Sequence, residues 1–273
     1  MNLPVFSTLA LKLSEGVAEV RLNRPDKSNA MNEAMWQEIR QAFECVDATP
    51  QARVAILCGE GKNFCAGIDL SMLASIQQQI ANPDGARSRE ALRRLILDLQ
   101  DCLSSIERCR KPVIAAIQGA CVGGALDMVT CCDMRYASED AIFSIKEVDL
   151  GMVADVGTLQ RLPYLIGQGL TRELAFTGRN VRASEAKQIG LVNQIFASNS
   201  ALTVTVNELA KTIAGKSPLA IRGIKEVMNF SRDHSVADGL NYVSSWNAGV
   251  LLSADLNECI AAQREKRKAK FAD

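Results

Sequence analysis

Two short apolar runs, Val54 to Cys58 and Val113 to Ile117, each lead into a glycine turn, FCAGID at 64–69 and ACVGGALD at 120–127. An apolar run bounded by turn signals reads as a buried strand. Helical spacing fills the stretches between them. Met31 to Ala48 carries apolar residues at 31, 35, 39, 42, 43 and 46, and a second helix is expected over 88–109, ended by Lys111-Pro112. After the second turn the order repeats, with a helical run over about 124–132 and short strands near 134–137 and 141–144. Upstream, Thr8 to Ser14 and Val17 to Asn23 alternate around Glu15-Gly16 as a hairpin does. Strand, turn and helix recurring in this order make the fold class α/β with crossover units.

From about residue 200 the pattern is helical throughout, with Gly and Pro breaks at 215–218, so the chain divides into a core over 1–200 and a helical segment over 201–273. The stretch SMLASIQQQIANPDGARSRE has no pattern that assigns it. The longest nearly apolar run, Val113 to Leu126, contains Gln118, stops at Asp127, and is too short to span a bilayer.

Charge narrows the partners. With 31 basic and 31 acidic side chains there is no excess to attract nucleic acid or an anionic membrane, so a small molecule or another subunit is expected. The nine cysteines form no C-x-x-C pair and several sit in apolar runs, which suits free thiols in a reducing compartment. The one histidine, His234, lies in the polar string SRDHS, so no metal site and no His-based triad is expected. The opening MNLPVFSTLALKLSEG has neither a secretory nor an Arg-rich transit pattern, and the ending Phe271-Ala272-Asp273 is not a peroxisome-type signal; both favour the cytoplasm.

Each glycine turn leaves backbone N–H groups free where a helix begins, and two turns side by side could aim two N–H groups at one oxygen. For either turn alone, glycine that only lets a strand pass into a helix is the simpler account. Neither matches the dinucleotide or phosphate-loop patterns. In KEVDLGMVADVGTLQRL at 146–162, Glu147, Asp149 and Asp155 stand among apolar and small residues, where carboxylates are uncommon.

Together, FCAGIDL at 64–70, KPVIAAIQGACVGGALD at 111–127 and KEVDLGMVADVGTLQRLPYLIG at 146–167 resemble the crotonase, or enoyl-CoA hydratase/isomerase, superfamily. So do VAEVRLNRPDKSNA near the start, FTGRNVRASEA at 176–186 and the ending EKRKAKF, which extends the resemblance over nearly the whole chain. It implies a spiral of repeated ββα units with a C-terminal helical segment, an acyl-CoA substrate, and no cofactor beyond the coenzyme A of that substrate. It places the thioester oxygen between the N–H groups of Ile68 and Gly124, an oxyanion hole in which one donor is typically worth about 3 kcal/mol. A side chain at 124 is expected to obstruct the thioester.

Hydratases of the family carry two glutamates; here Asp127 and Glu147 hold those positions, and Asp155 adds a third acid where hydratases usually have glycine. That set resembles the Δ3,5-Δ2,4-dienoyl-CoA isomerases of the family. Moving both double bonds requires a proton taken at C2 and one returned at C6. The resemblance thus implies Glu147 as the base at C2, protonated Asp155 as the acid at C6, and Asp127 holding Glu147 through a shared hydrogen bond or proton. Asp149 is expected as a cap or salt-bridge partner. Taken singly, Asp127 could instead be a buried cap or an ion-pair partner of Arg135 or Arg161.

Coenzyme A contacts are expected from Lys27, Ser28 and Ala30, from Ala66, Gly67, Asp69 and Leu70, and from Lys268 and Phe271, the last two from a neighbouring subunit. The family association is a homotrimer or a pair of trimers, for which the amphipathic stretches 199–214 and 235–251 are suited. A hydratase or other crotonase-type acyl-CoA enzyme that does not depend on Asp155, and a catalytically silent binding or assembly protein, are the competing readings.

Overall fold

The computed structural model describes residues 3–272, so Met1 and Asn2 of the opening and Asp273 of the ending lie outside it. The elements begin with β1 (Leu9–Ser14), β2 (Val17–Leu22), α1 (Glu33–Ala48), β3 (Val54–Gly59), α2 (Leu70–Gln79), α3 (Gly85–Arg108), β4 (Val113–Ile117), β5 (Ala120–Val122) and α4 (Gly124–Thr130). They continue with β6 (Met134–Ser138), β7 (Ile142–Ser144), α5 (Thr158–Arg161), α6 (Pro163–Ile166), α7 (Gln168–Thr177), β8 (Val181–Arg182), α8 (Ala183–Gln188) and β9 (Gln194–Phe196). Four helices close the chain: α9 (Asn199–Ala214), α10 (Pro218–Arg232), α11 (Val236–Val250) and α12 (Ala254–Arg264).

A six-stranded sheet runs β1-β2-β3-β4-β6-β9, antiparallel only at the β1–β2 hairpin, and a three-stranded sheet runs β5-β7-β8. The sequence of strands explains the arrangement. β4 and β6 enter the large sheet, while the strands that follow them, β5 and β7, pair with each other in the small one. Each pair followed by helix is one turn of a ββα spiral. Every residue of β3 and β4 is buried, as expected of parallel strands covered on both faces. The loops leaving the C-terminal ends of β2, β3 and β4 gather on one side, where open α/β sheets bind ligands.

The unassigned stretch resolves into α2 and the start of α3. Asp69 and Asp84 cap them, accepting from Ser71 N–H at 3.0 Å and Ala86 N–H at 2.8 Å. α9 turns Leu202, Val206 and Ala210 into a second apolar cluster against the outer face of the large sheet. The stretch 199–214 therefore buries one face on its own chain, while Val204 on the same helix stays exposed. Further exposed apolar side chains follow at Ile224, Met228, Val236, Leu240, Leu251 and Leu252.

Seven cysteines are buried and none is paired. Among the described residues no helix is long and apolar enough to cross a membrane, and no group of acidic, His and Cys side chains is placed to hold a metal ion.

Candidate active site

The two glycine turns are bonded to each other. Cys65 N–H donates to Ala120 O at 2.9 Å and Val122 N–H to Cys65 O at 3.2 Å, so residue 65 adds to the edge of the small sheet. Gly67 (φ +88°) makes the closest approach: a Cβ there would lie 2.7 Å from Val122 O and 3.4 Å from Gly124 N. Gly67 N–H donates to Cys65 Sγ, Asp69 N–H to Met31 O, and Gly123 N–H to Ser144 O. Between these occupied donors, the Ile68 and Gly124 amides have no protein acceptor among the described residues. Both are held by fixed backbone, which is the preorganisation an oxyanion hole needs.

The reason expected for glycine at 124 is corrected. Its Cβ would meet Met31 Cε at 2.8 Å with Trp36 behind it, so it points into the core rather than toward a thioester. Gly123 (φ +57°) is the residue whose bare face looks onto the acids, 3.3 Å from Glu147 Oε1. A contrast follows. Gly67→Ala must push main chain apart and should lower turnover by about 100-fold or more, the scale of one lost oxyanion donor. Gly124→Ala needs only the end of Met31 to move, and should cost about 1–2 kcal/mol of stability with much of the activity kept. Steady-state rates and urea midpoints of the two variants decide it; equal losses of activity would undo the distinction.

A latch holds the loop after β2 onto this frame. Asn29 (φ +55°) is fully buried, and its Nδ2 donates to the carbonyls of Glu60 and Asn63 at 2.9 Å and Phe64 at 3.1 Å. Its Oδ1 accepts from Arg24 N–H at 2.8 Å. Ala66 N–H then donates to Ser28 O, and Met31 N–H to Gly67 O. Lys27, Ser28, Ala30, Ala66, Gly67 and Leu70 are thereby gathered around one rim. The Asp69 carboxylate is occupied: it caps α2, accepts from Ser71 and pairs with Arg24 at 3.0 Å, interactions that hold it below the usual carboxylate range. Lys268 and Phe271 are not brought to this rim. Phe271 O accepts from Arg53, which precedes β3 and thus lies at the opposite end of the strand from 64–70.

The three acids do come together. Asp127, on the wholly buried α4, accepts from Thr158 N–H at 2.5 Å through Oδ1. Neither suggested arginine pairs with it: Arg135 donates to the carbonyls of Leu191 and Cys132, and Arg161 pairs with Glu107 at 2.9 Å. Glu147 opens a 3₁₀ turn, Glu147–Leu150, beside it. Asp127 Oδ2, Glu147 Oε2 and Thr158 Oγ1 are all buried without a hydrogen-bond partner. Burial, then the charge of neighbouring Asp127, pushes Glu147 up to about 7; burial, aided by Asp155 and opposed by Thr158, pushes Asp127 up to about 6. Asp155, the most exposed of the three, is also raised by desolvation. Asp149 takes its expected salt bridge, to Lys146 at 2.9 Å.

These raised values predict a stability trend. Unfolded carboxyls titrate near 4 and the folded ones near 6 and 7, so the folded chain binds more protons over that interval. Stability therefore falls as pH rises from about 4 to about 7. Asp127→Asn, which keeps an acceptor for Thr158, should match wild type at pH 4 and exceed it at pH 8 by on the order of 2 kcal/mol. Urea unfolding at the two pH values checks this; the same difference at both would refute it.

Asn29 and Thr158 were not among the candidates read from the sequence. The carbonyls that Asn29 Nδ2 bonds and the buried acid that Thr158 N–H holds lie 31 or more residues away along the chain. The only local signal for Asn29 is a residue type that tolerates positive φ.

The model of the enoyl-CoA hydratase/isomerase family matches residues 12–273. The peroxisomal Delta(3,5)-Delta(2,4)-dienoyl-CoA isomerase of Arabidopsis thaliana is 49% identical, over 100% of this chain and 99% of that protein. The mitochondrial Delta(3,5)-Delta(2,4)-dienoyl-CoA isomerase of Homo sapiens is 46% identical, over 93% of this chain and 78% of that protein. The crystal structure of an enoyl-CoA hydratase from Bacillus anthracis superposes with a TM-score of 0.89 at 31% identity, covering 97% of this chain and 99% of that one. These names overturn the expectation of a cytoplasmic enzyme, since the relatives are peroxisomal and mitochondrial. Targeting signals are short addresses read by receptors, and the folded residues that carry the similarity hold no such information. With its ββα spiral, its paired glycine turns and a match over nearly its whole length, the chain belongs to the enoyl-CoA hydratase/isomerase family.

Proposed function

We propose that the chain isomerises a 3,5-dienoyl-CoA thioester to the 2,4-dienoyl-CoA in fatty-acid β-oxidation. The observation that carries this reading is Asp155, a third carboxyl whose charge acts on both Asp127 and Glu147. The thioester oxygen sits between the Ile68 and Gly124 amides. Glu147 removes a C2 proton, the two donors stabilise the dienolate, and Asp155 protonates C6. Asp127 acts by its charge and by its anchor on Thr158: it opposes ionisation of Glu147 and so raises its basicity. Relatives named for this reaction at 46–49% identity support the assignment.

Coenzyme A, part of the substrate, is held along the rim by the main chain of Lys27, Ser28, Ala30, Ala66, Gly67, Asp69 and Leu70. No further cofactor takes part. The core over 1–200 carries the chemistry and the segment 201–273 assembles subunits into a homotrimer or a pair of trimers, through the apolar side chains exposed on α10 and α11. Lys268 and Phe271 then serve the rim of a neighbouring copy.

The test is a spectrophotometric assay with a 3,5-dienoyl-CoA, following the near-ultraviolet absorbance gained on conjugation with the thioester. A rise supports the isomerase. No rise, with hydration of a 2-enoyl-CoA instead, makes the chain a hydratase and returns Asp155 to a structural role.

A further inference from the structure

Asp155 is the most exposed of the three acids. It lines a cavity of about 540 Å³ whose walls include Gln100 and Ser104 of α3, Gln160 and Arg161 of α5, and Tyr164 of α6; neither Asp127 nor Glu147 reaches it. A polar space of this size takes up water. Gln100 Nε2 donates to Asp155 O at 2.6 Å, which fixes the acid to the cavity wall. Arg161 is engaged by Glu107 and does not pair with Asp155. On the other side of the site, Asp127 is fully buried and Glu147 Oε2 is sealed from solvent.

Resting on the isomerase reading, we infer that the proton delivered to C6 enters from solvent through this cavity by way of Asp155, while the proton taken from C2 stays on Glu147 until product leaves. The steps balance. The C2–H bond breaks as a Glu147 O–H forms, and its electron pair passes into the dienolate. At C6 that electron system forms a new C–H bond as the Asp155 O–H breaks. Asp155 then takes a proton from cavity water, and Glu147 returns its own to water through the vacated thioester cleft. No net proton is consumed and nothing is oxidised. The competing route hands the C2 proton inside the protein, through Asp127, to Asp155.

A substrate carrying two deuterium atoms at C2, turned over many times by each active site in ordinary water, separates the two, because Asp155 must then be recharged between turnovers. Entry from solvent gives a product with one deuterium at C2 and protium only at C6, read by mass spectrometry and NMR. Retention of the second deuterium at C6 would overturn the inference. Absence of any conjugated product would instead remove the isomerase reading itself, and this inference with it. A second measurement tests the cavity: Gln160→Trp fills it without touching the three acids. Turnover should fall about tenfold with KM unchanged, and the solvent isotope effect on turnover should rise as reprotonation of Asp155 becomes limiting. A folded Gln160→Trp enzyme with unaltered rate and isotope effect would overturn entry by this path.

Discussion

Glu147→Gln should lower turnover of a 3,5-dienoyl-CoA by about 10³- to 10⁴-fold while leaving the affinity for a CoA thioester nearly unchanged. The amide keeps the shape of the side chain and removes its ability to take a proton. Because Glu147 is pushed up to about 7 by burial and by Asp127, it is a stronger base than an exposed glutamate and still ionised in part at neutral pH. The variant should fold as well as wild type, since a buried group that resists ionisation has been replaced by a neutral one. Rates come from the conjugation assay and affinity from calorimetry with the 2,4-dienoyl product. Turnover within tenfold of wild type would remove Glu147 as the base.

Asp155→Asn should cost about 10²- to 10³-fold in the same assay, again with little change in KM. Asp155→Glu, with one more methylene, should recover part of the loss, because its carboxyl can still supply a proton. The neutral amide is otherwise well tolerated here: Asp155 is exposed, and the contact that anchors it is made by its main-chain oxygen to Gln100. If Asp155→Asn kept full isomerase activity, the third acid would be no part of the reaction, and the hydratase reading would gain accordingly.

Much of this was legible in the residues. The all-apolar strands at 54–58 and 113–117, and the helix over 33–48, follow from period and from turn signals because both faces of each strand, or one stripe of the helix, are buried. α2 was illegible because its Ser, Ala and Gln residues give no contrast between faces; its capping Asp69 was the better signal. At Gly124 the expected obstruction of the thioester by a side chain gives way to crowding against Met31 in the core, a contact that no local pattern reveals. The acids at 127, 147 and 155 could be named, but not the way they meet. Their proximity depends on Thr158 N–H anchoring α5 to α4, a contact 31 residues apart along the chain. Asn29 was missed for the same reason: it bonds main-chain carbonyls, which leave no trace in residue identity.

The buried thiols have a bearing on durability. Burial pushes Cys58, Cys65 and Cys131 up to about 12 and Cys102 up to about 11, so the thiolate, the form that attacks peroxide, is scarcely formed at any of them. Cys259 alone is exposed, with Cys45 half-buried. A chain with nine sulfhydryls thus presents a solvent-borne oxidant with little more than one.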